Sequence, residues 1–168
     1  MNYRLVYYGN ETLSSVAEAV KNIDDSIIKI IDNMFGIMYQ EKGIGLAAPQ
    51  IDLNKRIIVA DTDDESRNKI ALINPEIVSF SDDAALYEEG CLSLPGLNAD
   101  VARPTEIVVR GVSLAGKVVE VGAAGLMARV LQHEIDHLDG IFFIDRIEKY
   151  MKNELRSELK RIKKLNTR

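Results

Sequence analysis

The sequence has one cysteine, two histidines, no tryptophan and no long hydrophobic run. A single cysteine cannot form a disulfide within the chain, which excludes a small secreted fold held together by disulfides. No apolar stretch approaches the length of a membrane-spanning helix, about 20 residues, and the start of the chain lacks the apolar core of a signal peptide. We therefore expect a cytoplasmic protein that does not enter a membrane.

Composition indicates one globular domain over residues 1–168. Of the 168 residues, 46% are hydrophobic and 28% are charged, which is too apolar for a disordered chain. The net charge of −5 is unevenly distributed, because 149–168 carry eight Lys or Arg against two acids, a net +6. The basic tail alone should attract an anionic partner, although it could equally be the solvated face of a helix. We expect no sequence-specific binding to DNA.

Three segments show the periodicity of helices. Apolar residues recur every three or four positions over 25–40, where Asp24 or Asp25 can cap the first turn and Gly43 can end the helix. A second helix is predicted over 125–138, and apolar residues around most of its circumference indicate that it is buried. A third, over 147–165, has one narrow apolar stripe and is predicted to lie on the surface.

Short β-type runs occupy the middle of the chain. They are 56–60, 70–74, 76–80, 105–110 and 117–121, with a polar loop at 61–68 and a hairpin connection at 111–116. Strands in runs, with helices at the ends and in the centre, indicate an α+β fold. We expect antiparallel β-sheets packed around the central helix, with an N-terminal helix and an amphipathic C-terminal helix.

Both histidines lie on the predicted buried helix. His133 and His137 are four residues apart, which places their Cβ atoms about 5–6 Å apart on one face, close enough to bind one metal ion. Glu134 lies about 100° around the helix and could act as general base to a metal-bound water, as in H-E-x-x-H hydrolases. The alternative, two ordinary buried histidines, would leave three polar groups on an apolar helix without partners.

A third metal ligand is not evident from the helix alone. The downstream carboxylates stand in no distinctive context; they are Asp139, Asp145, Glu148, Glu154 and Glu158. Upstream lies the single cysteine, Cys91, next to Gly90, which permits close backbone approach. A lone cysteine is more often a small buried apolar residue. Beside a two-histidine helix, however, its thiolate is the favoured third ligand, and it leaves one position open for water.

The segment at 43–50, G-I-G-L-A-A-P-Q, directly follows the first predicted helix. Its glycines and alanines remove bulky side chains, so another backbone could lie against it. Gln50 could then offer an amide N–H to a developing oxyanion. The segment lacks the Gly-Lys-Ser/Thr ending of a phosphate loop, and on its own it is typical of a helix end and a turn.

Taken together, the three segments resemble the peptide deformylase family. The motifs are G-I-G-L-A-A-P-Q at 43–50, E-G-C-L-S at 89–93 and Q-H-E-I-D-H at 132–137, in that order. The likeness covers essentially the whole chain, and the ordered triple is far more specific than H-E-x-x-H alone. It implies an enzyme that removes the N-formyl group from the N-terminal formylmethionine of nascent polypeptides and releases formate.

The resemblance implies a role for each motif residue at the metal. Cys91, His133 and His137 would hold one divalent metal ion, usually Fe2+, with Zn2+, Ni2+ or Co2+ able to replace it. Glu134 would carry the proton as general base and acid while metal-bound water or hydroxide attacks the formyl carbon.

The resemblance also implies how the substrate is held. The oxyanion would be stabilised by the Gln50 side chain and the Leu92 backbone N–H. Backbone groups around Ile44, Gly45 and Gly90 would hold the peptide as an added strand. The methionine pocket would be lined by Ile44, Glu89, Leu126 and Val130.

Four further polar residues lie in or near the motifs. Asp136 on an apolar helix needs a cation, and we predict that Arg103 supplies it, the alternative being an exposed carboxylate. Arg129 could rim the site or face solvent. Asn98 lies where some relatives place an arginine near the peptide.

The basic tail and two rival functions complete the expectations. A substrate that emerges from the ribosome suggests that the 149–168 helix docks on the anionic ribosome surface by counterion release, as relatives are thought to do. One rival is an H-E-x-x-H metallopeptidase that cuts internal amide bonds; the upstream cysteine ligand disfavours it. The other is a non-catalytic metal-binding protein on the ribosome, which would need neither Glu134 nor Gln50.

Overall fold

A buried helix packs against two antiparallel sheets in the computed structural model, which describes residues 3–63 and 68–167. The strands are β1 (Gly45–Ala47), β2 (Ile57–Ala60), β3 (Ile70–Phe80), β4 (Ala84–Gly90), β5 (Asn98–Pro104), β6 (Glu106–Val112) and β7 (Val118–Ala124). The α-helices are α1 (Asp25–Gln40), α2 (Gly125–Leu138), α3 (Lys149–Glu154) and α4 (Arg156–Lys163). Short 3-10 turns lie at Thr12–Ser14, Ala48–Ile51, Phe143–Asp145 and Lys164–Thr167.

Every strand pairs antiparallel with its neighbours. The larger sheet has the order β1-β2-β3-β6-β7, and β4 and β5 form a separate two-stranded sheet. The predicted α+β architecture is therefore confirmed. Within the described ranges, none of the helices has the length and apolar character needed to cross a bilayer.

The first helix has the bounds that its periodicity predicts. Of the two candidate caps it is Asp24 whose carboxylate accepts the N–H of Ser26, at 2.9 Å. At the other end the left-handed residue is Lys42, with φ of 57°, rather than the expected glycine. Gly43 follows it, and its N–H closes the turn on the carbonyl of Met38 at 2.8 Å.

The middle of the chain differs from expectation in two ways. The runs at 70–74 and 76–80 form one strand, β3, because Asn74 adopts φ of 51° in a bulge and its side chain exchanges two hydrogen bonds with the backbone of Val20. β1, β4 and β5 were not predicted; β4 is exposed at six of its seven residues and so lacks an apolar alternation. The hairpin connection is confirmed after β6, whereas 64–67 of the predicted polar loop lie outside the described residues.

The second helix has its predicted bounds, and its residues from 128 to 138 are all buried. The third helix is interrupted at Leu155, whose N–H bonds three residues back to Lys152, so it forms α3 and α4. Its apolar stripe is not merely a surface feature. Leu159 and Ile162 are buried in a cluster with Phe142, Phe143 and Val101 of β5, so the tail closes part of the core.

Candidate active site

Three side chains of types that can hold a metal ion converge at the C-terminal half of α2. Cys91 follows β4, and its Sγ lies 3.2 Å from Nε2 of His137. The ligand atoms of Cys91, His133 and His137 all lie within 4.8 Å of one another, and the two imidazole rings pack edge to face. One thiolate and two imidazoles this close together form a donor set that suits a divalent transition metal.

Glu134 lies beside these ligands in a space that Gly45 leaves open. The side chain is buried, and its Oε2 has no hydrogen-bond partner among the described residues. A Cβ at Gly45 would overlap the Glu134 carboxylate and approach Val130 to 2.7 Å, so only glycine fits there. Burial raises the pKa of Glu134 to about 7. A carboxyl group with a pKa near neutrality can both accept and release a proton.

The Gln50 amide is held with its NH2 group towards Cys91. Its Oε1 accepts the Ala47 N–H at 2.8 Å, so Nε2 faces the Cys91 Sγ at 3.6 Å and the Ser93 Oγ at 3.4 Å. The backbone N–H of Leu92, next to Cys91, donates no hydrogen bond to any described residue. Two N–H donors thus lie beside the metal ligands, where negative charge on a carbonyl oxygen could be received.

A buried carboxylate, Glu89, orients the first histidine. Its Oε2 lies 2.9 Å from Nδ1 of His133. Arg103 contacts both carboxylate oxygens, at 2.5 and 2.9 Å, and Arg129 contacts Oε1 at 2.7 Å. Because a hydrogen bond at Nδ1 fixes the tautomer, Nε2 of His133 is left as the nitrogen that can bind a metal.

The same network continues through Asp136, which lies between the metal-binding residues on α2. Arg103 donates to its Oδ2 at 2.9 Å, so the predicted Arg103–Asp136 pair is confirmed. Arg146, beyond the end of α2, adds a bidentate contact at 2.6 and 2.5 Å. The carboxylates of Glu89 and Asp136 and the guanidinium groups of Arg103, Arg129 and Arg146 therefore form one connected ion-pair network on α2.

Burial and charge set the protonation of these groups. Burial opposes ionisation of Glu89, but hydrogen bonds from His133 and Arg103 outweigh it and lower its pKa. Burial also opposes protonation of His133, yet hydrogen bonds to Cys91 and Glu89 raise its pKa. Burial and the neighbouring His133 lower the pKa of His137. Glu89 thus remains an anion, as its place among cations requires.

A cavity of about 900 Å³ opens onto this site. All the predicted site residues except His137, which is buried behind them, line it: Ile44, Gly45, Gln50, Glu89, Gly90, Cys91, Leu92, Leu126, Val130, His133 and Glu134. Ile44 and Leu126 are the most exposed apolar residues among these, at 43% and 48%. The cavity therefore combines a polar centre with an apolar wall.

Two free strand edges belong to the cavity. Among the described strands, β1 is an edge of the five-stranded sheet, and β4 pairs with β5 alone. The carbonyl of Ile44 accepts the N–H of Asp61 at 2.9 Å, so the alternation of an antiparallel ladder turns the peptide groups of Gly45 away from β2. Gly45 on one side and Gly90 on the other could thus pair with an extended peptide.

Sequence reasoning missed several contributors. Ser93 and Arg146 were not singled out, and Arg129, left open between rim and solvent, is buried against Glu89 and two backbone carbonyls. Glu89 was predicted to line the methionine pocket, but its contact with His133 was not predicted. A usable signal existed for that contact, because residues two apart in an extended segment share a face and Cys91 follows Glu89 by two. None existed for Arg146, since the chain reverses after α2 before bringing it back to Asp136.

An H-E-x-x-H helix, a cysteine at a strand end and a buried carboxylate oxygen with no partner among the described residues are together the features of a metal-dependent hydrolase. The polypeptide deformylase family model matches residues 2–153. The chain belongs to this family, whose members remove the N-formyl group from the N-terminal formylmethionine of nascent polypeptides.

Similar proteins agree in sequence and in structure. A peptide deformylase of Brachyspira hyodysenteriae is 48% identical over 98% of this chain and 95% of its own length. The structure of a peptide deformylase from Thermus thermophilus superimposes with a TM-score of 0.91 at 37% identity, covering 98% of this chain and 99% of that one. A Synechococcus elongatus enzyme, solved in complex with actinonin, gives 0.88 at 41% identity, covering 93% and 87%.

The protein is accordingly a hydrolase that acts on N-formylmethionyl peptides, and neither rival function is favoured. The family is metal-dependent, and the side chains present fit an ion. A thiolate and two imidazoles converge, and the unpartnered Glu134 oxygen lies beside them.

Removing Arg103 should destabilise the protein because Glu89 and Asp136 would each lose a buried cation. We expect Arg103→Met to lower the free energy of unfolding by about 3 kcal/mol, the lower end of the range for a broken buried pair, since Arg129 and Arg146 remain. Arg110→Met breaks an exposed pair with Glu120 and should cost at most about 1 kcal/mol. Urea unfolding measures both. Equal losses would contradict a structural role for the buried network.

Proposed function

We propose that the cavity binds the formylmethionine end of a nascent peptide with its formyl group at Cys91, His133 and His137. The observation that carries this assignment is the convergence of those three ligands with Glu134 and Gln50 in one cavity. A divalent cation held there would lower the pKa of a bound water and polarise the formyl oxygen.

Glu134 is the proton carrier in this proposal. Its carboxylate takes the proton of the attacking water and then passes it to the departing amine of methionine, which gives formate and a free N-terminus. The pKa of about 7 supports both halves of this role at neutral pH. The room left by Gly45 allows the carboxylate to reach the reacting groups.

Gln50 and Leu92 receive the charge that develops on the formyl oxygen. The Gln50 amide is oriented before substrate arrives, because Ala47 holds its oxygen. The Leu92 N–H needs no rearrangement, because it gives up no other described hydrogen bond. Donors fixed in advance are worth more than donors that must reorient during the reaction.

The peptide is held between the two free edges. Backbone groups around Ile44 and Gly45 on one side, and Gly90 on the other, extend the sheets through the substrate. The methionine side chain lies against Ile44, Leu126 and Val130. Glu89 contributes one polar wall of this pocket while its carboxylate remains in the buried network.

Two variants separate catalysis from metal binding. We expect Glu134→Gln to slow formate release from formyl-Met-Ala-Ser by about 10²–10⁴-fold. Gln50→Ala should slow it by about 10²–10³-fold, because one oxyanion donor is lost. Both should keep one metal ion per chain, since neither residue is among the three ligands.

Glu106→Gln, an exposed carboxylate on β6, serves as the matched control and should change nothing. Formate release should be absent with unformylated peptides. If Glu134→Gln lost the metal, or Gln50→Ala retained the full rate, the corresponding role would be wrong.

We propose Fe2+ as the metal in the cell. Sites of this kind generally bind Zn2+ more tightly than Fe2+. Fe2+ can therefore occupy the site in the cell only if it is the more available ion there. Protein purified without oxygen from iron-replete cells should contain iron, whereas the stripped protein offered equal Fe2+ and Zn2+ should take zinc. Metal analysis after each step measures this. Zinc in the freshly purified protein would overturn the assignment.

We also propose that residues 1–168 act as one catalytic domain in the cytoplasm and that the basic tail docks on the ribosome. The tail packs into the core through Leu159 and Ile162, which supports its place in the domain. Arg156 and Lys160 project outward from α4 and are exposed. Counterion release from ribosomal RNA would favour their binding there.

Charge reversal tests the docking without removing core residues. Arg156→Glu with Lys160→Glu should weaken ribosome binding and lower the log–log salt slope by about 1.4–1.8 for two lost phosphate contacts. Lys21→Glu with Lys117→Glu, both exposed elsewhere, changes the net charge equally and should have little effect. Hydrolysis of formyl-Met-Ala-Ser should be unchanged in both. Equal weakening in the two pairs would contradict a specific tail site.

A further inference from the structure

A second cavity, of about 730 Å³, continues from the first. The two cavities share four lining residues: Leu5, Tyr7, Glu41 and Leu165. The second lies between the N-terminal segment, the 3-10 turn after β1 and the end of the tail, and none of its lining residues belongs to α2, β4 or β5. We call it the downstream groove.

The walls of the downstream groove are fixed to the active site itself. The N–H of Val6 donates to the carbonyl of Gln50, and the N–H of Tyr8 donates to the carbonyl of Ser93, both at 2.9 Å. Asn166 then joins the tail to the same segment, since its side chain accepts from the Tyr7 N–H and donates to the Tyr7 carbonyl. The N-terminal segment that lines the groove is therefore hydrogen-bonded to Gln50 and to Ser93, the residue after Leu92.

Charge in the groove is left without internal partners. Glu41, Asp52 and Arg4 are exposed along it, and none makes an ion pair with a described residue. The carboxylate of Asp52 accepts only the hydroxyl of Thr12, at 2.7 Å. Two carboxylates against one guanidinium give the lining an excess of negative charge.

The substrate supplies an occupant for this space. A nascent polypeptide continues beyond its first residues, so it must leave the active-site cavity along some surface. The methionine pocket lies against α2, from which the groove takes no residue, whereas the junction at Leu5, Glu41 and Leu165 opens directly into the groove. Continuity of the two cavities therefore provides a path for the rest of the chain.

We propose that the downstream groove binds the segment of the peptide substrate that follows the residues held at the active site, with preference for basic side chains. The inference rests on the proposed function, because it takes the formyl end to be at Cys91, His133 and His137. An extended chain lies along the N-terminal segment, and lysine or arginine side chains on it face Glu41 and Asp52.

Peptide length and charge test the groove. Two nonapeptides would begin formyl-Met-Ala-Ser and continue with alternating lysine and serine or alternating glutamate and serine. We expect kcat/KM to be about threefold to tenfold higher for the lysine peptide, the size expected of two exposed ion pairs. Glu41→Gln with Asp52→Asn should bring the ratio close to one and leave the rate with formyl-Met-Ala-Ser unchanged.

The matched control pair is Glu76→Gln with Glu106→Gln, two exposed carboxylates outside the groove that should preserve the ratio. The charge preference would be overturned if the ratio of kcat/KM between the lysine and glutamate peptides were unchanged in the groove variant. It would also be overturned if that ratio fell to one in both the groove variant and the control variant. Absence of formate from the tripeptide would instead contradict the proposed function, so the two failures are distinguishable.

Photo-crosslinking locates the chain independently of rate. A formyl-Met hexapeptide carrying benzoylphenylalanine at its sixth position would be irradiated on the Glu134→Gln variant, in which slow turnover keeps the substrate bound for longer. Attachment within 3–10, 51–52 or 165–166 is the expected result. Attachment to β4, β5 or the start of α2 would show that the chain leaves by another route and would overturn the proposal.

Discussion

Burial of a strongly polar helix is the constraint on which the site depends. Residues 128–138 of α2 are all buried, and six of them carry polar or charged side chains. Such groups are costly in a protein interior unless they are paired. The pairing comes from outside the helix: Glu89 at the end of β4, Arg103 on β5 and Arg146 after the helix. The two-stranded sheet thus supplies charged partners for the polar side chains of α2, as well as packing against the helix.

The same constraint places the reactive groups. Because Glu89 takes Nδ1 of His133, the other ring nitrogen is directed to the side where Cys91 arrives from the end of β4. Glu134 cannot join the network, since it projects towards Gly45, and its Oε2 is left buried without a partner among the described residues. Burial raises the pKa of Glu134, because no hydrogen bond to Oε2 offsets the cost of burying its charge. The network pairs Arg129, His133 and Asp136 of α2, whereas Glu134 Oε2 and His137 Nδ1 remain buried without a hydrogen-bond partner among the described residues.

Substrate access follows from where the sheets end. β1 and β4 each keep an unpaired edge, and unpaired edges are normally a liability that proteins cover. Here they face one cavity, so a peptide can complete both. The N-terminal segment and the tail, joined through Asn166, border the far end of that cavity and extend it into the downstream groove. The N-terminal segment and the tail therefore border the proposed path of the substrate.

The sequence by itself determined the elements with strong local signals. The bounds of α1 and α2 follow from apolar periodicity and capping residues, and the His133–His137 spacing places two ligands on one face. The pairing of Asp136 with Arg103 also followed, because a buried carboxylate requires a cation. These features depend on neighbours within a few residues or on a single energetic requirement.

Only the tertiary structure decided the rest. β4 has no apolar alternation, and the inward face of β5 carries the buried Arg103, so neither strand follows a simple apolar pattern along its whole length. Gly45 needs to be glycine because of Glu134, a contact across 89 positions of the chain that no local pattern encodes. Arg146 returns to Asp136 through a chain reversal, and the tail stripe becomes core through Leu159 and Ile162. Each of these contacts joins residues that only the fold brings close together in space. The periodicity of a sequence carries no information about which distant surfaces will pack against each other.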